Sequence, residues 1–432
     1  MAQQLTQMMA SLETTDGCED RQQPKIYAKN SMDRFGDDLC QLLLSYLSFE
    51  DRFQCESVSK QFRRTVFESV VCIEINDRFM RQILKTTFTE TLATIAIKCL
   101  KIEIIDCQTI RAEYYELIPE VLAIFRHNCQ HLREIYCNFW QNCEQTMPTI
   151  GPLVTRIRVI DTQSLIHCHR LSHLNVIRLR KVFDTSGELM AKNLNTFVLF
   201  FYLADDYHRL SAFVAHNQCL KCLDVMCKMR ISEDPLTGLS AQLSRLTQLR
   251  QLRLVLNITG AQTSFTDSLR TIGVNCKQLQ RLSLQLSHTD SHGFDRKTLD
   301  SLRFYHRLKR LDLRLYVIVG EIVLDSLSDC KRLKHLELYI IKMTANVLKD
   351  LHIKCPRLQY LFIHDFNNII DTECLSHISR LPALQMLVIE SWDESTNLSD
   401  IDFNDLLSRS PKLKNIKTYQ SYVWKFYCRQ NN

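Results

Sequence analysis

The clearest pattern along the chain is a recurring spacing of apolar residues, Leu-x-x-Leu-x-Leu, at intervals of 25 to 30 residues. Polar residues occupy most of the positions between the leucines. Clear copies begin at Leu249, Leu279, Leu308, Leu333, Leu358, Leu384 and, more weakly, Leu413. Degenerate copies precede them at Leu132, Val154, Leu174, Leu194 and Leu220, with possible first copies at Val70 and Ile97. Self-similarity at this period predicts one structural unit repeated along the chain.

Each copy predicts a strand followed, before the next copy, by a helix. The last two leucines of the pattern alternate along a strand and point inward, so the residue between them points to the opposite face. Leu269, Ile272 and Cys276 have the three-four spacing of one helix stripe, as do Leu348 and Leu351 with the cysteine that follows them. A single unit cannot bury its apolar face alone, so stacked units supply the core.

Cysteines recur at a fixed place in this pattern. Cys129, Cys276, Cys330 and Cys355 each precede the first leucine of a copy by three residues. A small, weakly polar side chain suits a tight junction between helix and strand. Over roughly residues 70–420 the chain resembles the cysteine-containing class of leucine-rich repeats.

The segment before the repeats is short and unusually apolar. Between Phe35 and Phe67, 15 of 33 residues are apolar or aromatic. Leu39 to Leu47 predicts a helix that is apolar nearly all round, and further helices are expected after Ser48 and near Ser59. A unit below about 40 residues cannot enclose that much apolar surface unaided. We expect it to pack on the first repeat, on a second protein, or on both.

This segment resembles an F-box. The sequence has Phe35-Gly36-Asp37-Asp38, Leu43-Leu44-Ser45-Tyr46-Leu47, Asp51, and Val58-Ser59-Lys60-Gln61-Phe62-Arg63 at the family's spacing, with Phe35, Gly36 and Phe62 where the family usually has leucine, proline and tryptophan. The resemblance implies a surface for the Skp adaptor of cullin–RING ubiquitin ligases. The residues implied in adaptor binding are Phe35, Gly36, Leu39, Leu43, Leu47, Asp51, Val58, Lys60 and Phe62.

The two resemblances together predict an α/β fold. It is a leucine-rich repeat solenoid, a horseshoe with parallel strands on the concave face and helices outside, preceded by a small three-helix F-box. The expected division is a disordered segment 1–31, the F-box 32–68, a solenoid of about 11–13 repeats over 69–418, and a cap or tail 419–432. We expect the tail to cover the last repeat, and a tail that reaches the concave face is the alternative.

An F-box followed by leucine-rich repeats resembles the substrate receptor of an SCF-type ubiquitin ligase. This implies the Skp adaptor, and through it cullin and RING subunits, as partners, together with a protein substrate. It also implies a chain that is not an enzyme and needs no cofactor. The alternative is an interaction scaffold in which the F-box only caps the repeats.

Side chains between the pattern's leucines are the candidates for substrate binding. The strand positions predict an arginine patch, an aromatic group and a contribution from the tail: Arg253, Arg281, Arg310, Tyr360, Phe362, Tyr419 and Trp424. Arginine and aromatic residues dominate binding hot spots. In the earlier copies, the residue between the last two apolar positions of the pattern is Tyr136, Arg158 or Arg178, and these are predicted to lie on the same face.

Composition and motifs narrow the function classes. The chain has 54 basic and 48 acidic residues, and a formal charge of +6 does not by itself predict nucleic-acid binding. A basic nucleic-acid binder is the third alternative, and the interleaving of basic with acidic residues argues against it. We find no nucleotide-binding or hydrolase motif and expect no catalytic residue. His167, Cys168, His169 and His173 form a weak metal motif, and Cys219 with Cys222 a weak redox motif, so no metal is expected. Without a signal sequence or a long apolar stretch, we expect a protein of the cytoplasm, the nucleus or both, without a membrane partner, and its 18 cysteines as thiols.

Overall fold

A computed structural model describes most of the chain. The described residues are 36–47, 49–85, 87–139, 147–160, 164–201, 207–231, 233–259, 262–288, 299–316, 322–341, 344–366, 370–391, 398–420 and 423–429. The chain divides into two compact units, Met1–Leu174 and Asn175–Asn432. The predicted disordered segment 1–31 lies outside the described residues.

The first unit begins with a helical head, residues 36–69. Helix α1 (Asp37–Ser45) is followed by α2 (Phe49–Gln54), a 3-10 turn (Cys55–Ser57) and α3 (Lys60–Glu68). The Ser59 hydroxyl caps α3 by accepting a hydrogen bond of 3.1 Å from the backbone N–H of Phe62. The helix predicted near Ser59 therefore begins as expected, while Ser48 lies outside the described residues.

The rest of the first unit alternates strands with helices. Strands β1 (Cys72–Glu74), β2 (Ile104–Asp106), β3 (Glu134–Phe139) and β4 (Val154–Ile160) pair in this order, and each pair is parallel. The connecting helices are α4 (Asp77–Ile83), α5 (Phe88–Lys98), α6 (Ile118–Asn128) and α7 (Met147–Ile150), with 3-10 turns at Ala112–Leu117, Gly151–Leu153 and Ser164–His167.

The second unit continues the alternation, and β5 (His173–Arg178) crosses the limit between the units. Its other strands are β6 (Thr196–Phe201), β7 (Cys222–Ile231), β8 (Gln251–Ile258), β9 (Arg281–His288), β10 (Arg310–Leu315), β11 (His335–Ile340), β12 (Tyr360–Asp365), β13 (Met386–Ser391), β14 (Asn415–Gln420) and β15 (Val423–Cys428). Its helices are α8 (Tyr207–His216), α9 (Glu233–Leu243), α10 (Gln262–Asn275), α11 (Leu351–Lys354), α12 (Thr372–Ser379) and α13 (Asp400–Arg409). Turns of 3-10 helix stand at Leu179–Val182, Asp300–Phe304, Asp325–Asp329 and Ala345–Val347.

The register of the second unit follows the leucine pattern. Strands β6 to β14 pair in sequence and in parallel, and Leu252, Leu282 and Leu311 are aligned on neighbouring strands. The two inward positions of each clear copy are buried, as are Leu269, Ile272 and Cys276 on the helix side. The predicted α/β leucine-rich repeat solenoid is therefore confirmed.

In several repeats the residue three positions before the copy ties that repeat to the previous one. Cys129, Cys276 and Cys330 are buried, and each thiol donates to a carbonyl oxygen of the preceding repeat at 3.4 to 3.7 Å. Burial raises the pKa of Cys276 and of Cys330 to about 12, so these thiols stay protonated and unreactive. Asn217 takes this place in one repeat and Tyr305 in another.

Three features of the degenerate copies differ from the predicted register. Ile97 lies within α5 and is exposed; the buried positions are Ile102, Ile105 and Cys107, so that copy begins five residues later. The helix continues through Lys98, which prevents a strand from starting at the predicted leucine-like positions.

The copy predicted at Leu174 begins at Leu171, because the strand residues buried after it are Leu174 and Val176. Arg178 therefore ends β5 instead of occupying the predicted column. Tyr136 of β3 pairs with Arg156 of β4 and not with the predicted Arg158, because the register between β3 and β4 shifts at an irregularity.

The tail forms the antiparallel strand β15 on β14. On its helix side the Tyr427 ring lies 5.0 Å from that of Phe403, and the Tyr427 hydroxyl donates to Asp400 at 2.6 Å. On the other face Trp424 lies opposite Tyr419. One strand therefore has one face that covers the last helix and another that extends the outward sheet face.

The predicted domain limits remain predictions. None of the helices in the described part of the chain has both the length and the apolar character needed to cross a membrane.

Candidate functional site

The head presents an exposed apolar surface, called here the head surface. Helix α1 buries Cys40 and Leu44 against Phe62 and Val66 of α3. Its opposite side is exposed, and Leu43 keeps 42% of its surface open. The head surface consists of Leu39, Leu42, Leu43, Tyr46, Leu47 and Val58. Exposed apolar patches of this kind mark interaction sites.

The residues implied in adaptor binding fall into three places. Leu39, Leu43, Leu47 and Val58 belong to the head surface, and Gly36 and Lys60 are exposed beside them. Asp51 is half-buried, and Phe35 lies outside the described residues. Phe62 differs from the expectation: it is only 5% exposed, because it fills the space between α1 and α3. Its place is under the head surface, where it positions α1.

A polar contact fixes the start of α1 on α3. Asp37 accepts hydrogen bonds from Gln61 Nε2 at 2.8 Å and from Arg64 Nη2 at 2.8 Å. The hydrogen bond from Gln61, with that from Arg64, holds the pKa of Asp37 below its ordinary value. The charged carboxylate therefore stabilises the orientation in which the leucines of α1 are displayed.

The other side of the head contacts the first repeat. The Lys98 ammonium lies 4.9 Å from the centre of the Phe67 ring and 3.9 Å from Glu56. Arg63 pairs with the same glutamate at 3.3 Å. The head thus rests on α5 with one side and leaves the head surface open.

The second unit presents a sheet face away from its helices, called here the open face. Its side chains form three rows, each following the strand pairing. The first row runs Cys222, Gln251, Arg281, Arg310, His335, Tyr360, Met386 and Asn415. The second runs Val198, Asp224, Arg253, Ser283, Asp312, Glu337, Phe362, Val388 and Lys417. The third includes Val255, Gln285, Arg314, Tyr339, His364, Glu390 and Tyr419.

A groove of about 410 Å³ lies on the open face across β6 to β11. Its polar lining contains four arginines and three carboxylates, Arg253, Arg281, Arg310, Arg314, Asp224, Asp312 and Glu337. The structure therefore brings the three predicted arginines together, and Arg314 lies with them as the sequence pattern also predicts. The lining has a formal excess of one positive charge, from four cations less three anions.

Two of these arginines are already paired with carboxylates. Arg253 Nη1 lies 3.2 Å from Asp224 Oδ2. Arg310 Nε donates to Asp312 at 3.0 Å, and its Nη2 donates to Glu337 at 2.8 Å. His335 Nε2 lies 2.7 Å from the same Glu337 oxygen. This network holds Arg310 rigidly along the groove wall.

The pKa values of the two acids in this network, Asp312 and Glu337, shift in opposite directions. Burial raises the pKa of Asp312, and the neighbouring charge of Glu337 acts in the same direction. Burial also opposes the charge on Glu337, but the hydrogen bond with His335 and the charge of Arg310 outweigh it and lower the pKa of Glu337. Glu337 is therefore the firmly charged acid of the pair.

Aromatic rings continue the groove toward β12. His335 stacks on Tyr360 with ring centres 4.0 Å apart, and Tyr339 stacks on Phe362 at 4.7 Å. The Arg314 guanidinium lies 4.1 Å from the centre of the Tyr339 ring. The predicted aromatics thus adjoin the arginine groove.

The two candidates in the tail lie at the far end of the open face. The rings of Tyr419 and Trp424 are 4.9 Å apart, and Lys417 Nζ lies 5.3 Å from the centre of the Phe426 ring. They are separated from the groove by β12 and β13, since the strands pair in sequence. They form a second aromatic patch and do not line the groove.

In the described part of the chain, the weak metal motif of the sequence does not form a group with metal-ligand spacing. Among the residues the structure describes, the group with metal-ligand spacing is Asp312, His335 and Glu337, within 4.8 Å of one another. The Arg310 guanidinium already bonds both carboxylates. The Cys219 thiol donates to the Leu194 carbonyl at 3.4 Å, and the described cysteines are free thiols.

Sequence reasoning missed part of both surfaces. Leu42 and Tyr46 belong to the head surface, and their three-four spacing from Leu39 and Leu43 was a usable signal. Tyr339 and His364 were missed on the open face, although they repeat at the same interval as the two rows that were considered. The pairing of individual arginines gave no signal in the sequence.

Comparisons with known proteins find solved structures of low similarity and no relative by sequence. No protein-family model and no curated protein matches the sequence. A chain from the crystal structure of the Rad7 and Elc1 complex in yeast is 14% identical, over 88% of this chain and 92% of that chain, with a TM-score of 0.43. A leucine-rich repeat protein of Leptospira interrogans is 13% identical over 74% and 91%, with a TM-score of 0.37. Internalin C2 from Listeria monocytogenes is 17% identical over 44% and 84%, with a TM-score of 0.26.

Because these TM-scores lie below 0.5, none of the three similarities gives a basis for assigning a function. The repeats described above define a leucine-rich repeat protein, and two surfaces suited to protein contacts lie on it.

Proposed function

We propose that this chain is a substrate-recognition subunit of an SCF-type ubiquitin ligase. In this proposal the head is an F-box that binds the Skp adaptor, and the open face binds a protein substrate. The adaptor connects the chain to cullin and RING subunits. The chain itself contributes no catalytic group and acts in the cytoplasm, the nucleus or both.

The observation that carries the proposal is the two-sided character of α1. Leu44 lies in the interior of the head, whereas Leu43, next to it in sequence, is exposed together with Leu39 and Leu47. A small helical unit with its own core does not need these leucines for folding. Their exposure supports a second protein as the covering surface.

The proposed mechanism is positional. The repeats hold a substrate near a conjugating enzyme that the cullin carries, which raises the effective concentration of substrate lysine at the thioester.

A pull-down with purified Skp adaptor tests the proposal. The double variant Leu43→Asp, Leu47→Asp places two charges in the head surface, where burial against the adaptor would leave them unpaired. We expect adaptor binding to fall at least ~100-fold, since each buried unpaired charge costs about 2 kcal/mol or more. The repeats should remain folded, because neither residue contributes to the buried cluster of the head.

The matched control is Ile353→Asp, Ile401→Asp, which adds the same two charges at exposed apolar positions of the repeats. This variant should bind the adaptor as the unchanged chain does. Equal adaptor binding by the Leu43/Leu47 variant and the unchanged chain would refute the assignment of α1 as the docking helix.

A second candidate is an interaction scaffold in which the head only caps the repeats. The contacts of Lys98 with Phe67 and Glu56 favour it, since they join the head to the first repeat. In that case purified adaptor would not bind at any concentration, and removal of the head would expose the apolar side of the first repeat.

A further inference from the structure

We propose that the groove on the open face recognises an acidic side chain within an extended segment of a protein. The recognising groups are the guanidiniums of Arg281 and Arg314, with Arg253 at the side. The inference deepens the proposed function and rests on it, because it names the chemical class of the substrate that the repeats would hold.

The four arginines of the groove are not equivalent. Arg253 and Arg310 each bond a carboxylate, as described above. The guanidiniums of Arg281 and Arg314, by contrast, make no hydrogen bond or ion pair with any residue in the described part of the chain. Arg314 is oriented by its stacking on Tyr339 and keeps its N–H donors available.

The two arginines flank one point of the groove floor. Arg281 pairs with Arg310 across the strands, and Ser283 pairs with Asp312. Arg314 lies four residues beyond Arg310 on β10 and pairs with Gln285 of β9. Along the strand direction, Ser283 is therefore halfway between Arg281 and Arg314. Arg253 lies beside Ser283 on the neighbouring strand. The short serine side chain leaves room above it for a group that accepts hydrogen bonds from several sides.

Ser283 supplies a further donor at this point. Its hydroxyl has no hydrogen-bond partner among the residues that the structure describes. A carboxylate or a phosphoryl group offers several acceptor oxygens, and charge-assisted bonds from arginine to either are among the strong ones in proteins. An anion seated over Ser283 would satisfy the donors that the fold leaves unused.

The surrounding carboxylates favour a protein segment over a nucleic acid. Asp224, Asp312 and Glu337 line the same groove, and Asp224 Oδ1 is a buried acceptor without a donor. A nucleic-acid backbone carries a phosphate at every nucleotide and would bring several of them against these acids. A polypeptide can carry a single anion among uncharged backbone groups and also offers N–H donors.

The aromatic stacks give such a segment a place to continue. The Tyr339 ring adjoins Arg314 and stacks on Phe362, which is itself buried. A segment anchored at Ser283 and running across the strands toward β12 would pass over the Tyr339 ring, where apolar side chains can pack.

Binding of short degenerate peptides with one fixed central residue tests the inference. The full-length chain is applied to immobilised peptides whose central residue is phosphoserine, glutamate, glutamine or lysine, and labelled oligothymidylate is measured in parallel. We expect binding to phosphoserine or glutamate peptides at least about tenfold above glutamine peptides, since each charge-assisted hydrogen bond contributes that much. Comparison of the two acidic peptides then distinguishes a phosphoryl group from a carboxylate.

The double variant Arg281→Gln, Arg314→Gln should lose this preference for acidic peptides. Its matched control is Arg332→Gln, Arg357→Gln, which removes the same charge at exposed turn positions outside the groove. The control should keep the preference, and both variants should unfold at the same temperature as the unchanged chain because all four side chains lie at the surface or in the open groove.

Equal binding of glutamine and acidic peptides would overturn the inference, as would an equal loss in the control variant. Tighter binding of oligothymidylate than of acidic peptides would overturn it in favour of a nucleic-acid site. Adaptor binding measured on the same preparations separates the two claims: loss of peptide preference with intact adaptor binding refutes only the groove, and failed adaptor binding with intact preference refutes only the proposed ligase role.

Discussion

Leu43 and Leu44 provide a sharp test because they are the same residue type at neighbouring positions of α1. Leu44 is 0% exposed in the cluster with Cys40 and Phe62, while Leu43 is 42% exposed on the head surface. Leu44→Ala should therefore destabilise the head by about 2–5 kcal/mol, the range for buried leucine truncations. Leu43→Ala should change its stability by less than about 1 kcal/mol.

The order reverses for binding. Complete burial of a leucine contributes about 1.5–3 kcal/mol, so covering the remaining 42% of Leu43 corresponds to about 0.6–1.3 kcal/mol, or roughly a three- to ninefold loss of adaptor affinity in Leu43→Ala. Leu44→Ala should weaken binding only as far as it unfolds the head.

Hydrogen exchange of the α1 and α3 amides, measured by mass spectrometry, reports the stability of the head separately from the repeats. Adaptor affinity is measured by calorimetry on the same variants. Equal loss of amide protection in both variants would contradict the assignment of inward and outward faces on α1.

Three other variants test particular contacts. Asn217 is buried and bonds the Leu194 N–H and two carbonyls, so Asn217→Ala should cost about 3–5 kcal/mol in urea unfolding, whereas Gln218→Ala, which loses one bond to the last turn of α8, should cost about 1 kcal/mol or less. Gly36 has φ −65° with open space at its Cβ, so Gly36→Pro should stabilise the head by about 0.4–1 kcal/mol, and destabilisation would show that its backbone is held differently. The pKa of Asp37 is lower in the folded chain than its ordinary 3.8, so its contribution to head stability is complete above that value and disappears as pH falls through the folded pKa; Asp37→Asn should remove this component from a pH series of amide exchange, and an unchanged series would contradict the pairing with Arg64.

The fold was predictable where the repeat is regular. Leu252, Leu282 and Leu311 recur with the pattern and are buried in register, because parallel pairing aligns equivalent positions of neighbouring repeats. Ile97 and Leu174 were misplaced because isoleucine, valine and leucine recur at several offsets in degenerate copies. Helix continuation through Lys98 decided the register at Ile97, and the irregular pairing of β3 with β4 displaced Arg158 from its predicted place; neither leaves a trace in the spacing.

The binding surfaces were predictable as residue types and not as individual roles. Phe62 and Leu43 both fit an apolar motif, but only packing between α1 and α3 places the first inside and the second outside. Arg281 and Arg310 occupy the same row, and they differ because the carboxylates lie within reach of Arg310 alone. Such differences depend on which side chains come within hydrogen-bond distance, on the same strand or on a neighbouring one, once the sheet has formed.

The most direct experiment is light scattering of the purified chain mixed with purified Skp adaptor, coupled to size-exclusion chromatography. We expect a complex of one chain and one adaptor that is lost in the Leu43→Asp, Leu47→Asp variant. Elution of the two unchanged proteins as separate species at micromolar concentrations would contradict the proposed role of the head in a ubiquitin ligase.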